Sequence, residues 1–193
     1  MDPLIALRGV TTMVRRIPGT VYALESVRRW FCRVPRSRVV EDFDGTLLEV
    51  RVDEHMGSHI FWYGSYSREV LEVLARILRP GMQVLDVGGN IGEVALFAAK
   101  RVAPRGRVVC FEPMASLARI LRGNVARNSA AIVEVVECGI SDHSGSAPLF
   151  TTAERFHDGT VHAGLATLYG QGERAVPAGA IRLTTIDEYV REH

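Results

Sequence analysis

Between Gln83 and Ile140 the apolar residues alternate between two periods, and this limits the fold more than any other feature of the chain. "QVLDV" is a short apolar run that reads as a buried strand. "EVALFAAKRV" repeats at helical spacing, "RVVCFE" is strand-like again, "ASLARILRGNVARN" is helical and "IVEVVECGI" is a third strand. Strand–helix alternation through short links belongs to parallel sheets covered by helices on both faces. The expected fold class is α/β with a Rossmann-like sheet.

The flanks add to this unit. "SREVLEVLARILRPG" predicts a helix capped by Ser67, with Glu69 in its first turn and Pro80-Gly81 as its stop; Val70, Leu71, Leu74, Ile77 and Leu78 form its buried stripe. In "RVVEDFDGTLLEVRV", two β-rich runs flank Asp44-Gly45, so residues 38–43 and 46–52 predict a hairpin closed by a two-residue turn. Leu4, Leu7, Val10, Val14 and Ile17 predict a first helix, and Val21, Leu24, Val27, Phe31 and Val34 a second, with Pro18-Gly19 between them. Residues 1–37 thus read as a helical N-terminal arm and residues 38–193 as the Rossmann-like domain. Beyond Ser141, "APLFT", "LATLY" and "AIRLTT" suggest short antiparallel strands, and Thr185 and Glu188 stand at capping-box spacing for a last helix.

Composition sets the class. The 193 residues are 47% hydrophobic with a formal net charge of +1, a globular balance without the basic excess of a nucleic-acid binder. Residues 1–40 nevertheless hold eight arginines against Asp2 and Glu25. A solvated face on helices packed against the main domain accounts for them better than a lipid surface does. Cys32, Cys110 and Cys138 are odd in number and far apart, which suits a reducing compartment. The opening residues lack the pattern of a secretion signal, and no run approaches the ~20 apolar residues of a spanning helix. A cytoplasmic location is the expectation.

The chemistry centres on "DVGGNIG", residues 86–92, at the carboxyl end of the first parallel strand, where open α/β sheets bind ligands. A phosphate-cradling Walker loop needs Lys and Ser or Thr after its last glycine; here Glu93 and Val94 follow. A dinucleotide fingerprint starting at Gly88 would need glycine at Asn90 and Glu93. A pyrophosphate there would also lie near Asp86 and Glu93. Two like charges at ~5 Å and an effective dielectric of ~20 repel by roughly 3 kcal/mol, comparable with what a helix terminus returns. S-adenosylmethionine poses the opposite problem, because its sulfonium and amino groups are cationic. Asp86, Gly88, Asn90 and Gly92 form the turn it needs, with Gly89 permitting close approach. Glu112, ending the second strand, is placed to accept both ribose hydroxyls, and Asp142, after the third, to take the adenine amine.

The stretch from about Gly64 to Tyr189, with "DVGGNIG", "FEP" and "TTIDEY", resembles the FkbM-type methyltransferases of the class I S-adenosylmethionine-dependent superfamily. The resemblance implies a class I methyltransferase sheet and direct methyl transfer to a hydroxyl, with Asp86, Gly88 and Glu112 holding the donor and Asp142 beside them. In that family "TTIDEY" is soon followed by a further strand and an acidic D-x-E-G segment, whereas this sequence stops at His193. The fold is therefore expected to be incomplete at its C-terminus: part of a longer product, a natural truncation, or a unit completed by a partner chain.

The expected activity is O-methylation of a hydroxyl on a small molecule or glycan. The alternatives are a non-catalytic module that binds adenosine ligands or a protein partner, and, less favoured, an NAD-dependent oxidoreductase. Homo-oligomerisation is open. His55 and His59 are four apart and His157 and His162 five apart, without a third ligand at metal spacing, so no metal is expected and no catalytic base is assigned. The aromatic run "HIFWYGSY" suits core packing or a wall beside the donor.

Overall fold

The computed structural model describes residues 4–8, 35–152, 156, 160–161, 166–168 and 175–193. The second N-terminal helix expected over 21–34, and His157 and His162, lie outside them. Residues 4–8 are helical, with Leu4 buried. Arg8 donates from Nε to the Phe61 carbonyl (2.6 Å) and from Nη2 to the Glu41 carbonyl (2.7 Å), docking this piece on the domain.

The hairpin pairs β1 (Ser37–Glu41) with β2 (Leu47–Arg51). Its loop is wider than the expected two-residue turn. Asp42 N–H reaches the Thr46 carbonyl (2.9 Å), while Asp42 Oδ1 accepts from the N–H groups of Asp44 and Thr46, both at 2.8 Å. The carboxylate organises a three-residue loop, and Gly45, at φ +73°, closes it in the left-handed region. Helix α1 (His55–Tyr63) buries Ile60, Phe61 and Trp62, so most of the aromatic run is core.

Helix α2 (Arg68–Ile77) buries Leu71 completely and Leu78 just beyond its end, with Leu74 partly covered. Val70 and Ile77, expected in the same stripe, are instead 52% and 56% exposed. Positions 71, 74 and 78 share one face; 70, 73 and 77 share the next, which nothing covers among the described residues. Ser67 sits at the N-cap, but its hydroxyl makes no cap bond.

The central sheet is parallel, in the order β3 (Gln83–Val87), β4 (Arg107–Phe111), β5 (Val133–Val136), with Asp86 opposite Cys110 in register. Helices α3 (Glu93–Val102) and α4 (Ala115–Arg127) cross between successive strands, as the periodicity predicts. The third expected strand divides. After Val136 the chain breaks away, and β6 (Gly139–Ile140) pairs with β8 (Ala175–Thr184), which also pairs antiparallel with β7 (Gly145–Thr152). Helix α5 (Ile186–Glu192) begins at Thr185, whose Oγ1 accepts from Glu188 N–H at 3.0 Å. Its Tyr189 lies edge-on over Phe111 and covers part of the second sheet face. The rest of that face is open near β3, where Leu85 and Val87 are 40% and 53% exposed.

Two asparagines one turn apart on α4 fasten the hairpin to the sheet. Asn128 accepts from Leu47 N–H (2.9 Å) and donates to the Leu47 carbonyl (2.7 Å), as a neighbouring strand would. Asn124, fully buried, accepts from Glu49 N–H (2.7 Å) and donates to the Ile91 carbonyl (2.8 Å). Asn124→Ala orphans two buried main-chain groups and should cost about 2–4 kcal/mol; the more exposed Asn128→Ala should cost about 1. Urea-unfolding midpoints check the difference, and equal losses would contradict it.

Candidate donor-binding site

The turn between β3 and α3 is held from three sides. From β4, the Phe111 carbonyl accepts from both Gly88 N–H (2.9 Å) and Gly89 N–H (3.0 Å). From the loop after β4, the buried Glu112 accepts from Asn90 N–H at one oxygen and from Met114 N–H at the other, both at 2.9 Å. From α4, Asn124 holds the Ile91 carbonyl. The glycines answer two demands. Gly88, at φ +84°, has open space where a Cβ would project, while a Cβ on Gly89 would lie 1.9 Å from Cys110 Sγ. One leaves room for a ligand; the other lets the turn sit against the sheet.

The expected site residues divide into three groups. Gly88, Asn90 and Glu112 line a cavity of about 250 Å³ over the strand ends, with Met114, Leu117 and Ile140 on its apolar side. Asp86, Gly89 and Gly92 build the turn without lining that cavity. Asp86 accepts from the Cys110 thiol at 3.5 Å. Asp142 is brought to neither place: its side chain is 92% exposed and bonded to His143 Nδ1 at 2.6 Å. The break after Val136 carries it away from the strand end on which its expected role depended.

Glu93, which the sequence reading treats only as an obstacle to phosphate, does more. Fully buried, it accepts from the Ser65 hydroxyl (2.7 Å) and Tyr66 N–H (2.8 Å) at one oxygen and from Ser67 N–H (3.1 Å) at the other. It ties the segment before α2 to the start of α3. The signal was a glutamate in an otherwise apolar first turn, following Gly92 directly.

Electrostatics favour a cationic guest. Asp86 lies close enough to the first turn of α3 for the Ala95 N–H to favour its charged form, so an anion drawn to that turn would meet a carboxyl. Burial pushes the carboxyls of Asp86, Glu93 and Glu112 above their ordinary range, against the hydrogen bonds each accepts. A cation beside them would restore the charged form. Each carboxylate oxygen of Glu112 spends one lone pair on the main chain and keeps another for a diol at the cavity wall. The residues therefore fit S-adenosylmethionine: Glu112 would hold the ribose, the apolar side would take the base, and Gly88 leaves the backbone open. Among the described residues no group of three or more His, Cys, Asp or Glu is placed for a metal ion, and no helix is long and apolar enough to cross a membrane.

These raised carboxyls bind protons more readily in the folded chain than in the unfolded one. Their stabilising contribution is full below the ordinary carboxyl range and is lost as pH rises through the folded values. The urea midpoint should therefore be higher at about pH 5 than at about pH 7.5, and Glu93→Gln should flatten the difference.

The family model for Protein-L-isoaspartate(D-aspartate) O-methyltransferase (PCMT) matches residues 19–149. The AMB antimetabolite synthetase AmbE of Pseudomonas aeruginosa is 39% identical over 132 residues, which is 68% of this chain and 5% of that protein. The Protein-L-isoaspartate O-methyltransferase of Triticum aestivum is 41% identical over 61 residues, covering 32% of this chain and 26% of the relative. The chain thus spans a small part of the relatives it matches. A solved structure titled Protein-L-isoaspartate O-methyltransferase is 30% identical with a TM-score of 0.36, covering 39% of this chain and 24% of that one. The solved structure of P. horikoshii TYW2 in complex with MeSAdo is 18% identical with a TM-score of 0.40, covering 54% of this chain and 36% of that one. The family match supports the class I superfamily and S-adenosylmethionine as cofactor without reaching the FkbM-type family. With more than half of its residues matched, the chain belongs to the Protein-L-isoaspartate(D-aspartate) O-methyltransferase family of S-adenosylmethionine-dependent methyltransferases.

Proposed function

We propose that the chain binds S-adenosylmethionine in the cavity under Glu112 and serves O-methylation of a hydroxyl on a small molecule or glycan. The observation that carries the donor reading is the cavity at the strand ends, where the buried Glu112 stands at the wall with each oxygen accepting one main-chain N–H. Carboxyls around the glycine turn disfavour a diphosphate and favour a sulfonium. The hydroxyl acceptor is supported by the FkbM-type pattern of "DVGGNIG", "FEP" and "TTIDEY". A small-molecule acceptor is favoured by the long match to an antimetabolite synthetase. The shorter match to an isoaspartate methyltransferase favours a second reading, a carboxyl on a protein.

Catalysis needs an acceptor oxygen held in line behind the donor methyl, and alignment alone supplies much of the acceleration. Among the described residues β3 is the outermost strand of its sheet, and Leu85 and Val87 are exposed on one of its faces, which supports the reading that residues 38–193 act together with further polypeptide or a second copy. A cytoplasmic setting fits the free, buried Cys110 and Cys138.

Calorimetric titration tests the donor reading. S-adenosylhomocysteine should bind and NADH should not, and Glu112→Gln should weaken the former by about tenfold to a hundredfold. Tighter binding of NADH would reverse the assignment.

A further inference from the structure

The donor cavity has a second wall that the parallel sheet does not supply. After Val136 the chain leaves that sheet, and β6, β8 and β7 form a separate one. Burial alternates along its strands. On β8, Ile181 and Leu183 are buried while Ala180 and Arg182 are exposed; on β7, Leu149 is buried while Ser146 and Pro148 are exposed. The register puts the buried residues on one face, because Leu183 lies opposite Gly139 and Gly145, and Ile181 opposite Ala147. Residues 166–168 extend this face. Phe150 and Thr167 exchange two main-chain hydrogen bonds of 2.9 Å, and the flanking Ala166 and Leu168 pack against Leu149, Ile181 and Leu183.

That apolar face is turned towards the loop after β4. A Cβ on Gly139 would lie 2.9 Å from Leu183 Cδ2, 3.2 Å from Ile181 Cδ1 and 3.7 Å from Pro113 Cβ, so a bare β6 lets β8 come close to Pro113. Met114, next in that loop, packs against the main core and against the second-sheet cluster alike. Its N–H is held by Glu112 at 2.9 Å, which connects this wall to the carboxylate of the donor site. The two clusters are otherwise separate, and the cavity of about 250 Å³ is lined by members of both. Glu112, Met114 and Leu117 come from the parallel-sheet side; Leu149, Ile181 and Leu183 come from the second sheet.

We infer that the second sheet is the nucleobase wall of the donor site, with Leu149, Ile181 and Leu183 covering one face of the base and Met114 and Leu117 the other. The inference deepens the donor reading above and rests on it. A nucleoside has a polar diol at its sugar and a flat base whose two faces are apolar. The carboxylate of Glu112 suits only the diol, and a ribose held there carries its base one glycosidic bond away. A thioether and branched aliphatic side chains suit the faces of a purine ring, since they pack closely and ask for no hydrogen bond. The second sheet thus sets the thickness of the slot, which fixes the nucleoside and with it the donor's methyl group.

Isotope-filtered NMR reads the contact directly. The 193-residue chain carries labelled Ile, Leu and Met methyl groups, S-adenosylhomocysteine is added unlabelled, and calorimetry on the same sample reads its binding. The expected result is nuclear Overhauser effects from the adenine ring protons to the Met114 methyl and to methyls of Leu149, Ile181 or Leu183. Ile181→Ala should weaken binding about fivefold to twentyfold, while Ile181→Val should stay within about twofold. Binding without any adenine contact to the three second-sheet residues overturns the wall and leaves the donor site standing, even if Ile181→Ala does not fold. Unchanged affinity in a folded Ile181→Ala overturns it as well. If S-adenosylhomocysteine does not bind, the donor reading fails and this inference falls with it.

Discussion

Buried hydrogen bonds to the donor turn hold this structure to its purpose. A glycine-rich turn has little side-chain packing of its own, so its main-chain groups must find partners elsewhere. Here the partners come from distant stretches: the Phe111 carbonyl and Glu112 from the neighbouring strand's end, and Asn124 from the following helix. These bonds are 2.8–3.0 Å long, and Glu112 and Asn124 are themselves buried. The turn is therefore rigid because three elements converge on it, and the cavity above Gly88 follows from that rigidity.

The same geometry bears on the ligand choice proposed above. Helix N-termini in α/β folds are natural anion seats. Two carboxyls stand near this one: Asp86, which accepts from the Cys110 thiol, and Glu93, which holds the segment before α2. On the proposed reading, discrimination against phosphates would come from groups that also complete the fold.

Much of this was legible in the sequence. The five alternating elements from Gln83 to Val136 follow from apolar period, because local burial decides them. The placement of Glu112 and the turn glycines at strand ends was legible because the period locates those ends. What was missed depends on contacts between remote segments. Periodicity could not say that α2 turns Leu71, Leu74 and Leu78 inward and leaves Val70 and Ile77 outside, since both stripes are apolar. Asp44-Gly45 signalled a turn, yet Asp42 decided its width through two main-chain bonds. Asp142 was misplaced for a similar reason: an unbroken apolar run hid the change of partner at Cys138, where the chain leaves one sheet for another. Asn124 and Asn128 gave no signal, because an asparagine in an amphipathic helix looks like surface until its partners are known.

The asparagine pair also bears on where this domain begins. The side-chain amides of α4 serve β2 as a surrogate strand, and one of them simultaneously supports the donor turn. A unit starting at β3 would strip Asn124 of its Glu49 partner and leave its oxygen to Arg127 alone, loosening the helix side chain that holds the Ile91 carbonyl. The hairpin thus lends indirect support to the glycine turn, and a shortened version of the fold that keeps this support has to include β2.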